Sequence, residues 1–279
     1  MENIKNIMRM RIRSRLRASL RAAKVMGLGL AVMAIGMTDR AFCMTVMAKE
    51  AADLTEKADS RLHASVQHSI PSPEWVRALP QAKDEDTHQL FIVAAMGMDK
   101  TTASVSMHRR GESGEWEQIL SSPGYVGRNG MCYDEGRVAG CGQTPIGVYH
   151  FTKAFGISPD PGCPLPYTQV DSDLYWSGDV NCKYNQMVRL SENPGLDVSN
   201  SEHLIDYEYQ YQYCLNISFN EAGTPGRGSA IFLHCLGPAR PYTGGCVAIP
   251  ENIMELVMQN VSEDCVVVID TLEKLGGSL

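Results

Sequence analysis

Three things are scarce in this sequence, and each scarcity removes a class of function. The uncharged run Val25 to Thr38 falls short of the about 20 apolar residues that a transmembrane helix needs. Basic residues are scarce beyond position 48. Residues 1–48 hold nine Lys or Arg against two acids, a balance of +7, so against a chain net of −7 residues 49–279 carry −14. That acidic part lacks both the positive field and the basic stripe with interleaved aromatics that nucleic-acid binding requires, which excludes nucleic acid as a partner. No C-x-x-C and no clustered ligand pair occurs among nine cysteines, so neither a metal site nor a cofactor is read from them.

What is present fits one medium domain, or one and a half, with a sizeable core: 44% hydrophobic and 20% charged residues are near the globular average. The basic N-terminus (Lys5, Arg9, Arg11, Arg13, Arg15, Arg17, Arg21, Lys24) precedes the apolar run. Val46-Met47-Ala48 then sets small residues at the −3 and −1 positions of a cleavage site. A charged region, an apolar block and a small-x-small exit are what export machinery reads, so residues 1–48 are expected to be a signal peptide or an uncleaved anchor. The protein is then exported to a periplasm or cell-wall space, tethered to the membrane where the leader persists. Phe42 before Cys43 argues against a lipid attachment site.

Residues 49–86 are polar, carry alternating charge and are broken by Ser69-Ile70-Pro71-Ser72-Pro73, and read as a spacer. From residue 87 short apolar runs separated by turns predict a mostly β domain reaching residue 271, with a tail over 272–279. Gln89 to Gly97, Ala103 to Arg110 and Trp116 to Leu120 are strand candidates, and Val148 to Phe151 continues as a strand after Pro145 and Gly147. Residues 156–188, rich in Pro, Gly, Tyr and Asp, read as an ordered excursion whose aromatics line a cleft or simply pack a surface subdomain. Pro250 to Gln259 predicts a short helix with an apolar stripe, and Cys265 to Asp270 a closing buried strand.

The reactive chemistry concentrates in Ser229 to Pro250, SAIFLHCLGPARPYTGGCVAIP. An apolar run delivers His234, a turn-rich loop follows, and Thr243-Gly244-Gly245 leads into Cys246 before a second apolar run. Such a spacing suits a base and a nucleophile at the ends of two adjacent strands. A free thiol is mostly protonated at neutral pH and needs a neighbouring imidazole to become a nucleophile. Strand alternation puts Ala230, Phe232 and His234 on one face and Ile231, Leu233 and Cys235 on the other, so Cys235 reads as a buried small hydrophobe. Gly245 permits a tight backbone, and the Cys246 N–H with a neighbouring one is suited to an oxyanion. Taken singly, His234 reads as a satisfied core histidine and Cys246 as a buried thiol or half of a disulfide. His150 reads as a polar residue on a sheet face. Cys132 with Cys141, or Cys163 with Cys182, would each close a loop as a disulfide in an oxidising compartment.

The order of the TPIG strand, long excursion, SEHLIDY, GSAIFLH and TGGCVAIP resembles the L,D-transpeptidase catalytic-domain family of bacterial peptidoglycan enzymes over roughly residues 89–270. The resemblance implies a mostly β fold, a β-sandwich of mixed sheets with one or two short helices. It implies Cys246 as nucleophile, His234 as its base and Gly245 in the catalytic turn, with Thr243, Gly244 and Tyr242 as candidate substrate-binding residues; His203, beside Glu202 and Asp206, is on general grounds a candidate to orient substrate or His234, or simply caps a helix or turn. The substrates that the resemblance implies are peptidoglycan stem peptides, with water as acceptor in a carboxypeptidase variant; departures from the family pattern at Gly244 and Ala248 keep open a wall-binding module without catalysis. Gly244 stands where many members have His, and Ala248 where they have Arg, so a substrate carboxylate has no assigned partner.

Overall fold

A computed structural model describes residues 69–278; the leader and the start of the spacer lie outside the described residues. The elements run in the order β1 (Ile70–Pro71), α1 (Glu74–Arg77), α2 (Pro80–Lys83), β2 (Gln89–Ala95), β3 (Thr102–Arg110), β4 (Trp116–Tyr125), β5 (Met131–Tyr133) and β6 (Thr144–Gly156). There follow β7 (Tyr167–Gln169), β8 (Leu174–Trp176), β9 (Met187–Arg189), β10 (Glu202–His203), β11 (Cys214–Ile217), β12 (Phe232–Cys235), β13 (Val247–Ile249), α3 (Glu251–Asn260) and β14 (Val266–Thr271).

The main sheet runs β4-β13-β12-β11-β6-β14-β2-β3, and β3 also pairs with β4, so the expected mixed sheet closes on itself. Closure removes the open edges that short strands would otherwise present. Most pairings are antiparallel, whereas β12 with β13 and β14 with β2 are parallel. Alternation along the closed strands sends Phe91, Val93, Val105, Met107, Leu215, Leu233, Val247 and Ile269 into one enclosed core, joined by Met254, Val257 and Met258 of α3.

Every residue of β2 is buried because both its faces are covered. Its other face, Leu90, Ile92 and Ala94, meets Val76, Leu79 and Ala82 of the α1–α2 region, with Trp116, Val268 and Leu275. Residues 70–83, assigned from the sequence to the spacer, thus belong to the packed unit, since β1 pairs with β4 and these helices cover β2. Leu272 and Leu275 likewise pack the expected tail onto the same cluster.

A third cluster lies on the outer face of β6, β11 and β12 and determines where the site is. Phe155, Cys214, Phe232 and Cys246 are covered there by Val170, Leu174, Trp176, Leu204 and Tyr211 from the stretch between β6 and β11. The ring of Phe232 lies edge-on against Phe155, Trp176 and Tyr211 at 5.2, 4.7 and 5.6 Å. The excursion read from the sequence is therefore a wall built over one sheet face, with its own small sheet β10-β8-β9.

Candidate active site

β12 and β13 run parallel with Leu233 opposite Val247 and His234 opposite Ala248. Alternation then puts Phe232 and His234 on the outer face together with Cys246 and Ala248, while Leu233, Cys235, Val247 and Ile249 enter the enclosed core. His234 and Cys246 both line a cavity of about 640 Å³, with Arg137, Glu202, Tyr211 and Ala230 among its other walls. Cys235 points away from it, its thiol directed at the Tyr213 carbonyl at 3.7 Å.

The His234 ring is buried, and its Nδ1–H donates to the Cys235 carbonyl at 2.8 Å. That bond fixes the neutral tautomer with the lone pair on Nε2, which has no hydrogen-bond partner among the described residues. Burial pushes the imidazole down to about 4, so it is neutral at pH 7 and able to accept a proton. Tyr211 holds the ring from the side, edge-on at 5.6 Å.

Cys246 is 8% exposed, and burial followed by the nearby Glu202 carboxyl pushes its thiol up to about 12. Its S–H donates to the Ala230 carbonyl at 3.1 Å, while the sulfur accepts the Phe232 N–H at 3.4 Å. The resting pair is neutral thiol and neutral imidazole with no direct hydrogen bond between them. Ala230 stands at φ +57, a left-handed backbone that L-residues avoid. Asn185 holds it there: its Oδ1 accepts from the Ala230 N–H and from Trp176 Nε1, and its Nδ2 donates to the carbonyls of Phe219 and Asn220.

The turn before Cys246 is tied internally. Thr243 Oγ1 donates to the Cys246 carbonyl at 2.7 Å and accepts the Gly245 N–H at 3.0 Å; Thr144 Oγ1 donates to the same carbonyl at 3.1 Å. The Gly245 N–H is thus occupied, whereas the Cys246 N–H has no partner among the described residues and is the available oxyanion donor of the two. Gly245 adopts φ +141, and a Cβ there would meet Arg137 Nη2 at 2.8 Å and the Gln143 carbonyl at 2.9 Å. Tyr242, Thr243 and Gly244 all line the cavity.

His203 does not line it. Its ring stacks on Tyr175 at 4.4 Å, Nε2 meets the Ser172 carbonyl at 2.9 Å and Nδ1 meets Asp206 at 3.1 Å. In a two-residue strand the neighbouring side chain takes the opposite side, and it is Glu202 that lines the cavity, accepting the Tyr211 O–H at 2.6 Å. Burial pushes the Glu202 carboxyl up to about 7, against the opposing pull of that hydrogen bond. Glu202, Tyr211, Asn185 and Arg137 had no individual sequence signal; only the paired acids around His203 hinted that this stretch serves a site.

His150 is exposed on β6, 3.8 Å from Glu221. All eight described cysteines are free thiols. Cys132 and Cys141 lie side by side, burial and then Cys141 pushing Cys132 up to about 11. Cys163 and Cys182 have separate surroundings, Cys182 facing Asn193 at 4.0 Å. Among the described residues no group of three or more His, Cys, Asp or Glu side chains is placed to hold a metal ion, and no helix is long and apolar enough to cross a membrane.

No family model matches the sequence, and no curated protein matches it. Among solved structures, the chain is similar to the helical cell shape determining protein Pgp2 from Campylobacter jejuni, at 14% identity over 67% of this chain and 49% of that one, with a TM-score of 0.36. The K307A mutant of the same protein gives 14% identity, 67% and 48% coverage and a TM-score of 0.36. The Ldtfm-avibactam carbamoyl enzyme gives 12% identity, 67% and 49% coverage and a TM-score of 0.29. The chain spans about half the length of these proteins.

Proposed function

We propose that the protein is an exported peptidoglycan L,D-transpeptidase that works through a Cys246 acyl-enzyme on stem tetrapeptides. The observation that carries this reading is the presence of a thiol and a singly hydrogen-bonded neutral imidazole on one outer sheet face, in one cavity. The Cys246 sulfur attacks the carbonyl carbon of the L,D peptide bond as its proton passes to His234 Nε2. The oxyanion that develops is met by the Cys246 N–H. The C–N bond then breaks, the imidazolium returns the proton to the departing amine of D-alanine, and the acyl group remains on sulfur as a thioester. An acceptor amine from another stem attacks the thioester, giving the cross-link and restoring the thiol; water in its place gives a carboxypeptidase product.

Starting from two neutral groups suits this sequence, because burial disfavours the thiolate and the imidazolium alike. The same burial favours a second reading, a wall-binding module without catalysis, since Cys246 rests against Ala230 rather than His234.

Cys246→Ala removes a small buried thiol and is expected to fold while forming no adduct with a carbapenem or a donor tetrapeptide. A full-strength adduct in that variant removes Cys246 from the role. Mass spectrometry of purified tetrapeptide muropeptides after incubation separates the readings: dimers mark the transferase, tripeptides the hydrolase, and unchanged muropeptide the binder.

A further inference from the structure

The cavity beside Cys246 holds a buried cation whose counter-charge the described residues do not supply. Arg137 is 5% exposed, and its guanidinium is held by neutral groups alone: Nε donates to the Gln143 carbonyl at 3.2 Å, Nη1 to the Arg227 carbonyl at 3.0 Å, and its carbon lies 4.7 Å from the centre of the Phe219 ring. Asp134, whose carbonyl accepts the Arg137 backbone N–H, has its carboxylate taken by Arg227 Nη2 at 2.5 Å. No ion pair of Arg137 occurs among the described residues.

The chain makes room for this side chain at two glycines. A Cβ at Gly228 would lie 2.0 Å from Nη1, and one at Gly245 would lie 2.8 Å from Nη2. Nη2 therefore sits against the backbone of the residue that precedes the nucleophile, and it has no hydrogen-bond acceptor among the described residues. An arginine whose third nitrogen is left unpaired in a cavity wall is incomplete without an anion, because burying a full charge against neutral dipoles alone is unfavourable.

The charge of the cavity supports the same conclusion independently. Arg128, Arg137 and Arg240 line it against one acid, Glu202, whose carboxyl burial pushes up to about 7, so the cavity is net positive with His234 neutral. The chain as a whole carries −7. A positive cavity in an acidic protein concentrates and orients anions.

We propose that Arg137 forms an anion subsite of this cavity, taking a carboxylate group of the ligand beside Cys246. A guanidinium presenting a free N–H edge matches the planar, two-oxygen carboxylate. Gly228 and Gly245 are part of the subsite because any side chain there would displace the guanidinium. The inference concerns the ligand's charge and place, and it stands whether the ligand is acylated, hydrolysed or only bound.

The test compares alkylation of Cys246 by anionic iodoacetate and neutral iodoacetamide, read by peptide mass mapping. Dividing the two rates cancels changes in thiol reactivity. The ratio is expected to fall about tenfold in Arg137→Gln, the size of one charge-assisted contact, and to be largely kept in Arg137→Lys. An unchanged ratio in a folded Arg137→Gln protein overturns the proposal and leaves Arg137 as a clamp between the Gln143 and Arg227 carbonyls. A measurement on the unaltered protein covers the case of a variant that does not fold. N-acetylalanine is expected to protect Cys246 from iodoacetamide where N-acetylalanine amide does not, and equal effects of the two overturn the proposal. Loss of muropeptide turnover with the alkylation preference intact would sink acyl transfer and leave the subsite standing.

Discussion

His108 and His234 are both buried, and burial pushes both imidazoles down to about 4, yet their surroundings set them apart. His108, on β3, meets the Ser72 hydroxyl through Nδ1 and the Ser106 hydroxyl through Nε2, each at 2.8 Å. Both its nitrogens are spent. His234 spends one nitrogen on the Cys235 carbonyl, leaves the other without a hydrogen-bond partner among the described residues, and lines a cavity that Cys246 also lines. Burial and a lowered imidazole therefore do not set the two apart; a nitrogen without a partner, in a cavity shared with a thiol, does.

The comparison breaks most sharply on removal of each ring. His234→Ala is expected to slow acyl-adduct formation at Cys246 by about a hundred- to ten-thousandfold, the range of a general base, with the fold retained in its circular dichroism spectrum. Adduct formation near the wild-type rate would make His234 a second His108. His108→Leu acts the other way: it leaves the Ser72 and Ser106 hydroxyls unpaired in the core and is expected to cost about 2 to 3 kcal/mol in urea unfolding, with adduct formation per folded molecule unchanged.

The pH dependence of stability sharpens it further. Both histidines have folded values below the ordinary 6.5, so each contributes stability that is complete above 6.5 and lost as the pH falls toward 4. His108→Leu is expected to flatten that acid slope in denaturant titrations. Glu202 is opposite in sign: its carboxyl is raised from 4.5 to about 7, so its contribution is complete below 4.5 and lost as the pH rises through 7. Glu202→Gln is the smallest effect, a relative gain over wild type of about 1 kcal/mol between those limits, discounted because the group faces a cavity. A gain that shrinks as the pH rises would mean that the carboxylate is stabilised rather than strained in the fold.

Local pattern carried much of this molecule and non-local packing the rest. The alternation in Ala230 to Cys235 separates His234 from Cys235, and the structure keeps those two side chains on opposite faces although Ala230 itself leaves extended geometry. The compact apolar run from Gln89 signalled the strand β2, whereas the burial of both its faces came only with the packing of α1 and α2. Closure of the sheet through β3 and β4 was not legible, because it depends on partners rather than on either strand's own period. The packed start at residue 70 was hidden by prolines that break regular patterning without preventing contact with β2. His203 was a reasonable candidate by residue type, but a two-residue strand turns only one side chain to the cavity, and that one is Glu202. Arg137 was overlooked because a lone arginine after a glycine in a loop carries no periodic signal; its importance comes from Gly228 and Gly245, each far along the chain.

The bond from the Cys246 thiol to the Ala230 carbonyl has a consequence for the lifetime of the protein. Peroxides and disulfides attack thiolates, and a sulfur held protonated by burial, with its hydrogen committed to a carbonyl, is a slow target for both. The left-handed turn at Ala230, fastened by Asn185, thus holds the sulfur in a resting contact that slows its oxidation and disulfide exchange for as long as the bond to that carbonyl persists.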